Sequence, residues 1–282
     1  MTKQKVAWIT DTTASLSEEF INKYQINVIP LQLIINQESY RETIDITEKE
    51  FYERMKNENG TFQTSQPSIG DFVDVYKKLK EEYDFGFAIH ASSILSGTFQ
   101  TSKMAAEMAD FKLFAFDSRT GSYPHSFIVK KAVELFEQGY AAEEILKELA
   151  KIPDRTRLFL VPSNLDQLHK SGRVTGGQKI LASLLNIKPI LSIEDGTARI
   201  KDKVRSDKKA LSWLMDKLKS DMEKHTVKKV VVVHANDPER ATKLEKLVKE
   251  LVPNMDTACM MLITVAGVHT GVGTLGLSWV CE

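Results

Sequence analysis

Short apolar runs bounded by turn residues alternate along this chain with longer segments whose apolar positions recur every three or four residues. The runs predict strands over 6–10, 28–35, 85–90, 111–116, 158–161, 230–234 and 259–265. Helix starts fall between them. Ser15-Leu-Ser-Glu18 and Thr47-Glu-Lys-Glu50 each fit a capping box. Ser68 opens a helix with Phe72, Tyr76, Leu79 and Tyr83 along one face. Asn236-Asp-Pro238 supplies a cap with proline in the first turn. Strand–helix alternation through about residue 160 predicts an α/β fold with a largely parallel sheet.

The pattern then changes. Residues 164–185 read as helical and loop-like, IKPIL, EDG and ARI as short strands around a turn, and about 205–225 as a long charged helix. The shift predicts an N-terminal α/β domain over 1–163 and a smaller C-terminal α/β domain over 164–282. The 64–82 segment is a candidate to pack with the second domain.

Composition narrows the function classes. Lys+Arg and Asp+Glu both number 38, so no net field favours nucleic acid or an anionic membrane. The two cysteines, Cys259 and Cys281, give neither a disulfide framework nor a metal spacing. Cys259 lies in an apolar run and reads as a small core residue. The longest apolar run, about 11 residues, falls far short of a membrane span. An aspartate at position 11 interrupts any signal peptide. A soluble, reducing, cytoplasmic setting is the expectation.

Near its end the chain reads GVHTGVGTLG, with a formal G-x-G-x-x-G over Gly271–Gly276. The dinucleotide fingerprint requires a preceding strand, a following helix and an acidic residue about 20 positions on. A strand over 258–266 meets the first condition; the six residues after Gly276 cannot meet the others. The sequence also has no P-loop motif, no H-E-x-x-H and no G-x-S-x-G. The six histidines share no ligand spacing.

What remains is a set of hydroxyl-rich junctions after predicted strands: Thr10–Ser15, Ala91–Thr98 and Asp117–Ser122, with Thr64-Ser-Gln-Pro-Ser68 before a helix. Each alone reads as a helix cap. Three on one sheet edge read equally well as an anion cradle. Ser171-Gly-Arg173 adds a fixed cation beside a flexible residue, and His269 is the histidine within the glycine-rich loop. The basic run 199–209 holds six Lys/Arg against two Asp and reads as a solvated helix start.

At these residues the chain resembles the DegV family of bacterial fatty-acid-binding proteins. ITDTTASLS, TSQPS, SSILSGTFQTS, DSR, LHKSGRVTGG, LLNIKPIL, KVRSDKKAL and GVHTGVGTLG stand in the family's order, nearly end to end. Thr12 replaces the usual serine of the opening block, Val272 stands where proline is common, and TGSYPHS departs from the usual spacing. The resemblance implies a two-domain α/β fold with one long-chain fatty acid between the domains. It implies that Thr64, Ser93, Arg173 and His269 bind the carboxylate, with Ser65, Ser92, Ser96, Gly97 and Gly271 shaping the cradle. No catalytic residue, metal or cofactor is implied beyond the bound fatty acid. The implied task is to present that carboxylate to a separate fatty acid kinase catalytic subunit for conversion to acyl phosphate, which an acyltransferase then uses in phospholipid synthesis; it is compatible with transient membrane contact. The alternative is a serine hydrolase or acyltransferase using Ser93 and His269 on a lipid ester. A nucleic-acid regulator working through residues 199–209 runs against the balanced charge.

Overall fold

The run Phe85–His90 is buried at all six positions, as a strand must be when both faces of its sheet are covered. It forms β6 inside a four-stranded, all-parallel sheet ordered β2 (Ile26–Ile29), β1 (Val6–Asp11), β6, β7 (Leu113–Asp117). A computed structural model of the protein describes residues 4–174 and 187–282. They divide into two compact units: Met1–Ile46 with Gln63–Pro153, and Thr47–Phe62 with Asp154–Glu282.

In the first unit the parallel sheet is joined by α1 (Glu18–Tyr24), α3 (Ile69–Glu82), α4 (Thr98–Met108), α5 (Ser122–Glu137) and α6 (Ala142–Leu149). Phe72, Tyr76 and Leu79 share one face of α3 and pack with Ile9, Ala88, Ala105 and Ala106 in a single core. Ser68 caps α3, with Asp71 completing the box. A small second sheet is ordered β4 (Glu38–Arg41), β3 (Gln32–Ile35), β5 (Phe62–Ser65).

The second unit holds a six-stranded sheet ordered β10 (Thr197–Val204), β9 (Lys188–Glu194), β8 (Thr156–Val161), β13 (Leu275–Val280), β11 (Lys229–His234), β12 (Asp256–Met261). Among the described residues, its β11–β12 strand pairing is parallel and its other four strand pairings are antiparallel. Its helices are α2 (Glu48–Asn57), α7 (Leu165–Ser171), α8 (Asp207–Met222), α9 (Pro238–Leu251) and α10 (Thr264–Thr270). Leu275, Leu277 and Trp279 of β13 pack with Leu214 and Leu218 of α8 and Leu244 and Val248 of α9. Asp195 and Gly196, at φ +49° and +75°, close the β9–β10 hairpin as a two-residue Asp-Gly turn should. The protein is thus a mixed α/β fold, with a parallel-sheet domain and a second sheet domain. Among the described residues, no helix is long and apolar enough to cross a membrane.

Several expectations need correction. The predicted strand over 28–35 is two strands in different sheets, broken at Pro30, where a residue without an N–H cannot continue a ladder. Ser15 does not cap α1; it lies at φ +46° behind the 3-10 turn Thr12–Ala14, and Ser17 caps instead. The strand predicted to 265 stops at Met261, and Thr264–Thr270 is helical. Cys259 is exposed rather than in the core, because β12 is an outer strand. The basic run begins on the outer strand β10 rather than on a helix, where charges discourage edge-to-edge pairing; α8 starts behind its cap Ser206.

The domain boundary falls between 153 and 154, not near 164, because β8 pairs with β13 and β9. The segment that joins the second unit is Thr47–Phe62 rather than 64–82. Tyr52 of α2 explains this: its hydroxyl donates to Leu262 O at 2.7 Å and lies where a Cβ on Gly267 would come within 2.2 Å. The part of the 164–185 reading beyond residue 174 lies outside the described residues.

Gly276, the last glycine of the fingerprint-like stretch, opens no helix; it sits in β13 between β8 and β11. A Cβ there would stand 2.5 Å from Phe159 O, 2.6 Å from Leu160 Cδ2 and 2.9 Å from Val233 Cγ2. Gly276→Ala is therefore expected to cost about 1–3 kcal/mol, as other overpacked cores do. Denaturant unfolding checks this, and an unchanged midpoint would refute the packing role.

Candidate functional site

The three hydroxyl-rich junctions of the first unit do converge. β1, β6 and β7 run parallel with Thr10 opposite Ile89 and His90 opposite Asp117, so the chain leaves all three strands at the same sheet edge. In open parallel sheets this edge is where ligands bind.

At its centre lies Asp11, fully buried. Its Oδ1 accepts from Thr13 N at 3.0 Å and Thr13 Oγ1 at 2.5 Å; its Oδ2 accepts from His90 Nδ1 and Ala91 N, both at 3.0 Å. Since an ionised carboxylate can only accept, His90 carries its proton on Nδ1. Its Nε2 then accepts from Ser102 Oγ at 2.9 Å, and Ser102 in turn accepts from Tyr76 OH at 2.5 Å. Burial pushes the Asp11 carboxyl up, but the bonds from His90 and Thr13 and the nearby imidazoles outweigh it and hold the group well below the usual carboxylate range. His125 of α5 completes the layer: its Nε2 donates to Ile89 O at 3.0 Å, and its Nδ1 stands 2.9 Å from Thr13 Oγ1. Burial lowers the His125 pKa despite the pull of Asp11.

Ser102, His90 and Asp11 have the connectivity of a serine-hydrolase triad. All three have 0% exposure, so no substrate reaches the serine, and the array is a core network. Ser93, the nucleophile of the hydrolase alternative, donates its hydroxyl to Asp117 Oδ2.

The expected ligand residues divide between the units. Thr64 is half-buried on β5, and Ser65 beside it is exposed. Gln66, which sequence reasoning passed over, joins this block to the next: its Nε2 donates to Thr101 Oγ1 at 2.8 Å, and its Oε1 lies 1.8 Å from where a Cβ on Gly97 would project. Gly97 is therefore required by close approach. Ser92 is buried; its N–H donates to Thr120 O, and its Oγ accepts from Ile94 N. Ser96 accepts from Thr98 N and bonds Thr98 Oγ1, the use a helix start makes of a serine.

In the second unit, Arg173 follows Gly172, the left-handed C-cap of α7 at φ +66°. Its guanidinium donates back to Ser171 O at 2.7 Å. His269 lies on α10, and burial together with the Arg173 cation lowers its pKa to about 4, so the imidazole is neutral near pH 7. The two are held together because Ser163 N and Asn164 N, at the entry to α7, both donate to Thr270 O at 3.1 Å. Gly271 permits this junction: it sits at φ +92°, and a Cβ there would stand 2.5 Å from Asn164 Cβ. Among the described residues, no cluster of three or more His, Cys, Asp or Glu side chains could hold a metal.

Asp11, His90, His125 and Asp117 were not singled out as site residues. Asp117 left a signal, since the Asp-Ser-Arg block has the Asx-turn form, with Arg119 N donating to Asp117 Oδ1 at 2.9 Å. Asp11 left the same signal, with Thr13 N donating to its Oδ1 at 3.0 Å; His90 and His125 left none, because their partners lie 12 or more residues away in the chain.

A family model described as an uncharacterised protein of the DegV family matches residues 5–282. The chain belongs to the DegV family. Protein DegV of Bacillus subtilis is 35% identical over 276 residues, covering 97% of this chain and 98% of that protein. Among solved structures, DegV from Bacillus subtilis, described as a fatty acid binding protein, superposes with a TM-score of 0.90 at 34% identity, covering 99% of this chain and 100% of that one. A Thermotoga maritima protein whose structure is described as revealing a fatty acid binding function gives 0.83 at 30%, with the same coverage. A DegV family protein from Thermus thermophilus, described by its fatty acid binding, gives 0.88 at 27%, again covering 99% and 100%.

The buried groups of this DegV fold predict its response to acid. Asp11, His125 and His269 all have folded-state pKa values below their ordinary ones, so each contributes stability above its unfolded pKa and loses it as pH falls. The melting temperature should hold steady near pH 7–8, decline below about 6.5 as the imidazoles charge, and drop further below about 4 as Asp11 protonates. At pH 7, Asp11→Ala should cost about 3–5 kcal/mol by leaving its donors unpaired in the interior. Thermal unfolding at stepped pH checks both; a melting temperature flat from pH 8 to 4 would contradict them.

Proposed function

We propose that this protein binds one long-chain fatty acid, buries its acyl chain, and holds its head group through Thr64, Ser93, Arg173 and His269, with Ser65, Ser92, Ser96, Gly97 and Gly271 shaping the surroundings. The observation that carries the reading is the end-to-end match, at 34% identity and a TM-score of 0.90, to a structure described as a fatty acid binding protein. The chemistry of the two units supports it. The first has hydroxyls at the carboxyl ends of its parallel strands; the second has a guanidinium beside a neutral imidazole. Burying about 15 methylenes is worth roughly 12 kcal/mol at about 0.8 per CH₂, before ordering costs. A head group withdrawn from water needs such partners in return.

The further step is that the bound acid is presented to a separate fatty acid kinase catalytic subunit. The product acyl phosphate passes to an acyltransferase that feeds phospholipid synthesis, and the protein works in the cytoplasm. The absence of a P-loop motif from the sequence is in keeping with a chain that supplies the substrate and not the nucleotide site.

Denaturing extraction of the purified protein, followed by mass spectrometry, should release about one fatty acid per chain. Arg173→Ala should weaken fatty-acid affinity about tenfold or more, the usual effect of losing a charged hydrogen bond. An empty protein that takes up neither oleate nor palmitate would overturn the reading. Label transfer from ATP to the bound acid, with a fatty acid kinase subunit added, tests the second step.

A further inference from the structure

Ser93 has one hydroxyl proton, and its direction decides what the residue can bind. Asp117 ends β7 with its carboxylate turned to the loop that follows β6. Oδ1 accepts from Ser93 N at 3.2 Å and from Arg119 N at 2.9 Å, while Oδ2 accepts from Ser93 Oγ. Because an ionised carboxylate has no proton to give, the Ser93 proton points at Asp117. The hydroxyl then offers its other neighbours lone pairs only. A second carboxylate meeting those lone pairs is repelled; an O–H donor is held.

We propose that Asp117 sets the polarity of Ser93, so that the fatty-acid head group binds there as the uncharged carboxylic acid, donating its O–H to Ser93 Oγ. This rests on the fatty-acid reading given above. Burial favours the same form, since an uncharged carboxyl costs far less to desolvate than a carboxylate. The titratable and charged groups around Asp117 in its unit are His125 on α5, Arg119 on the same loop, and Asp11 and His90 at the ends of β1 and β6. His125 feels the Asp117 charge, yet burial keeps its pKa below the ordinary value, so it adds no compensating cation near pH 7. Arg173, proposed for the same head group, pulls toward the ionised form, and the pKa of the bound acid reads out the balance.

Asp117→Asn isolates the effect. The amide oxygen still accepts from Arg119 N and Ser93 N, so the turn is kept. The amide nitrogen becomes a donor to Ser93 Oγ and turns the serine proton outward. The experiment is ¹³C NMR of carboxyl-labelled oleic acid bound to each protein across a pH series, since the carboxyl shift reports ionisation directly. In the wild-type protein the bound acid should titrate above the free monomeric acid. In Asp117→Asn it should titrate at least about one unit lower than in wild type, a tenfold change in the relative affinity of the two protonation states. The difference should vanish when the same pair is compared in a Ser93→Ala background. A wild-type bound acid titrating below the free acid overturns the proposal without recourse to any variant. Equal values in wild type and Asp117→Asn also overturn it, as does a difference that survives Ser93→Ala, which would make Asp117 a through-space charge. A wild-type protein giving no bound signal refutes the fatty-acid reading itself and is thereby told apart from these results.

Discussion

A carboxylate without access to water has to find all its hydrogen bonds inside the protein, and Asp11 draws them from two strand ends at once. Two come from Thr13, two residues beyond the end of β1; two come from His90 and Ala91, where β6 ends. A buried charge left short of partners would cost several kcal/mol, so this node pins the loop that begins at Ala91. The same loop is tied to the third strand end, because Ser92 N donates to Thr120 O and Ser118 N donates to His90 O. Ser93 and Asp117 are brought together on this frame.

The second unit solves a similar problem with backbone geometry. Arg173 and His269 are nearly a hundred residues apart in the chain, yet the entry to α7 bonds the end of α10 through Thr270 O. That approach leaves no room for a side chain at position 271, where the backbone also adopts a positive φ. The glycine-rich stretch therefore forms a tight turn between α10 and β13, and its likeness to a nucleotide fingerprint is formal only. Burial, with the closeness of the Arg173 cation added, keeps the His269 imidazole neutral, making it able to accept as well as donate a hydrogen bond.

Hydroxyl-rich loops at helix starts serve two ends, and this protein uses its serines and threonines for both. Ser96, Ser118 and Thr120 are taken up by caps and turns, the ordinary work of these residues. Thr12 is bonded to buried Glu42, and Thr13 belongs to the Asp11 node. Ser93, like Thr12, is bonded to an acid from another strand end, in its case Asp117. An anion cradle read from hydroxyl content alone misses that acid, which alters what the cradle can hold.

Adjacent residues alone carry the alternation that makes this an α/β protein, the caps at Thr47, Ser68 and Asp237, and the ordered motif blocks of the family. These are local signals: a capping box or a buried parallel strand is written in adjacent residues, and its energetics act over one or two turns of chain. Where local signals were read too literally they misled, as at Pro30, where one apolar run serves two sheets, and at Cys259, apolar in context but on an outer strand. Only the tertiary structure decided that α2 belongs with the second unit through Tyr52, that His90 and His125 serve Asp11, and that Ser93 faces Asp117. Those choices depend on pairings between residues from about 24 to more than 200 positions apart, and no local periodicity carries that information.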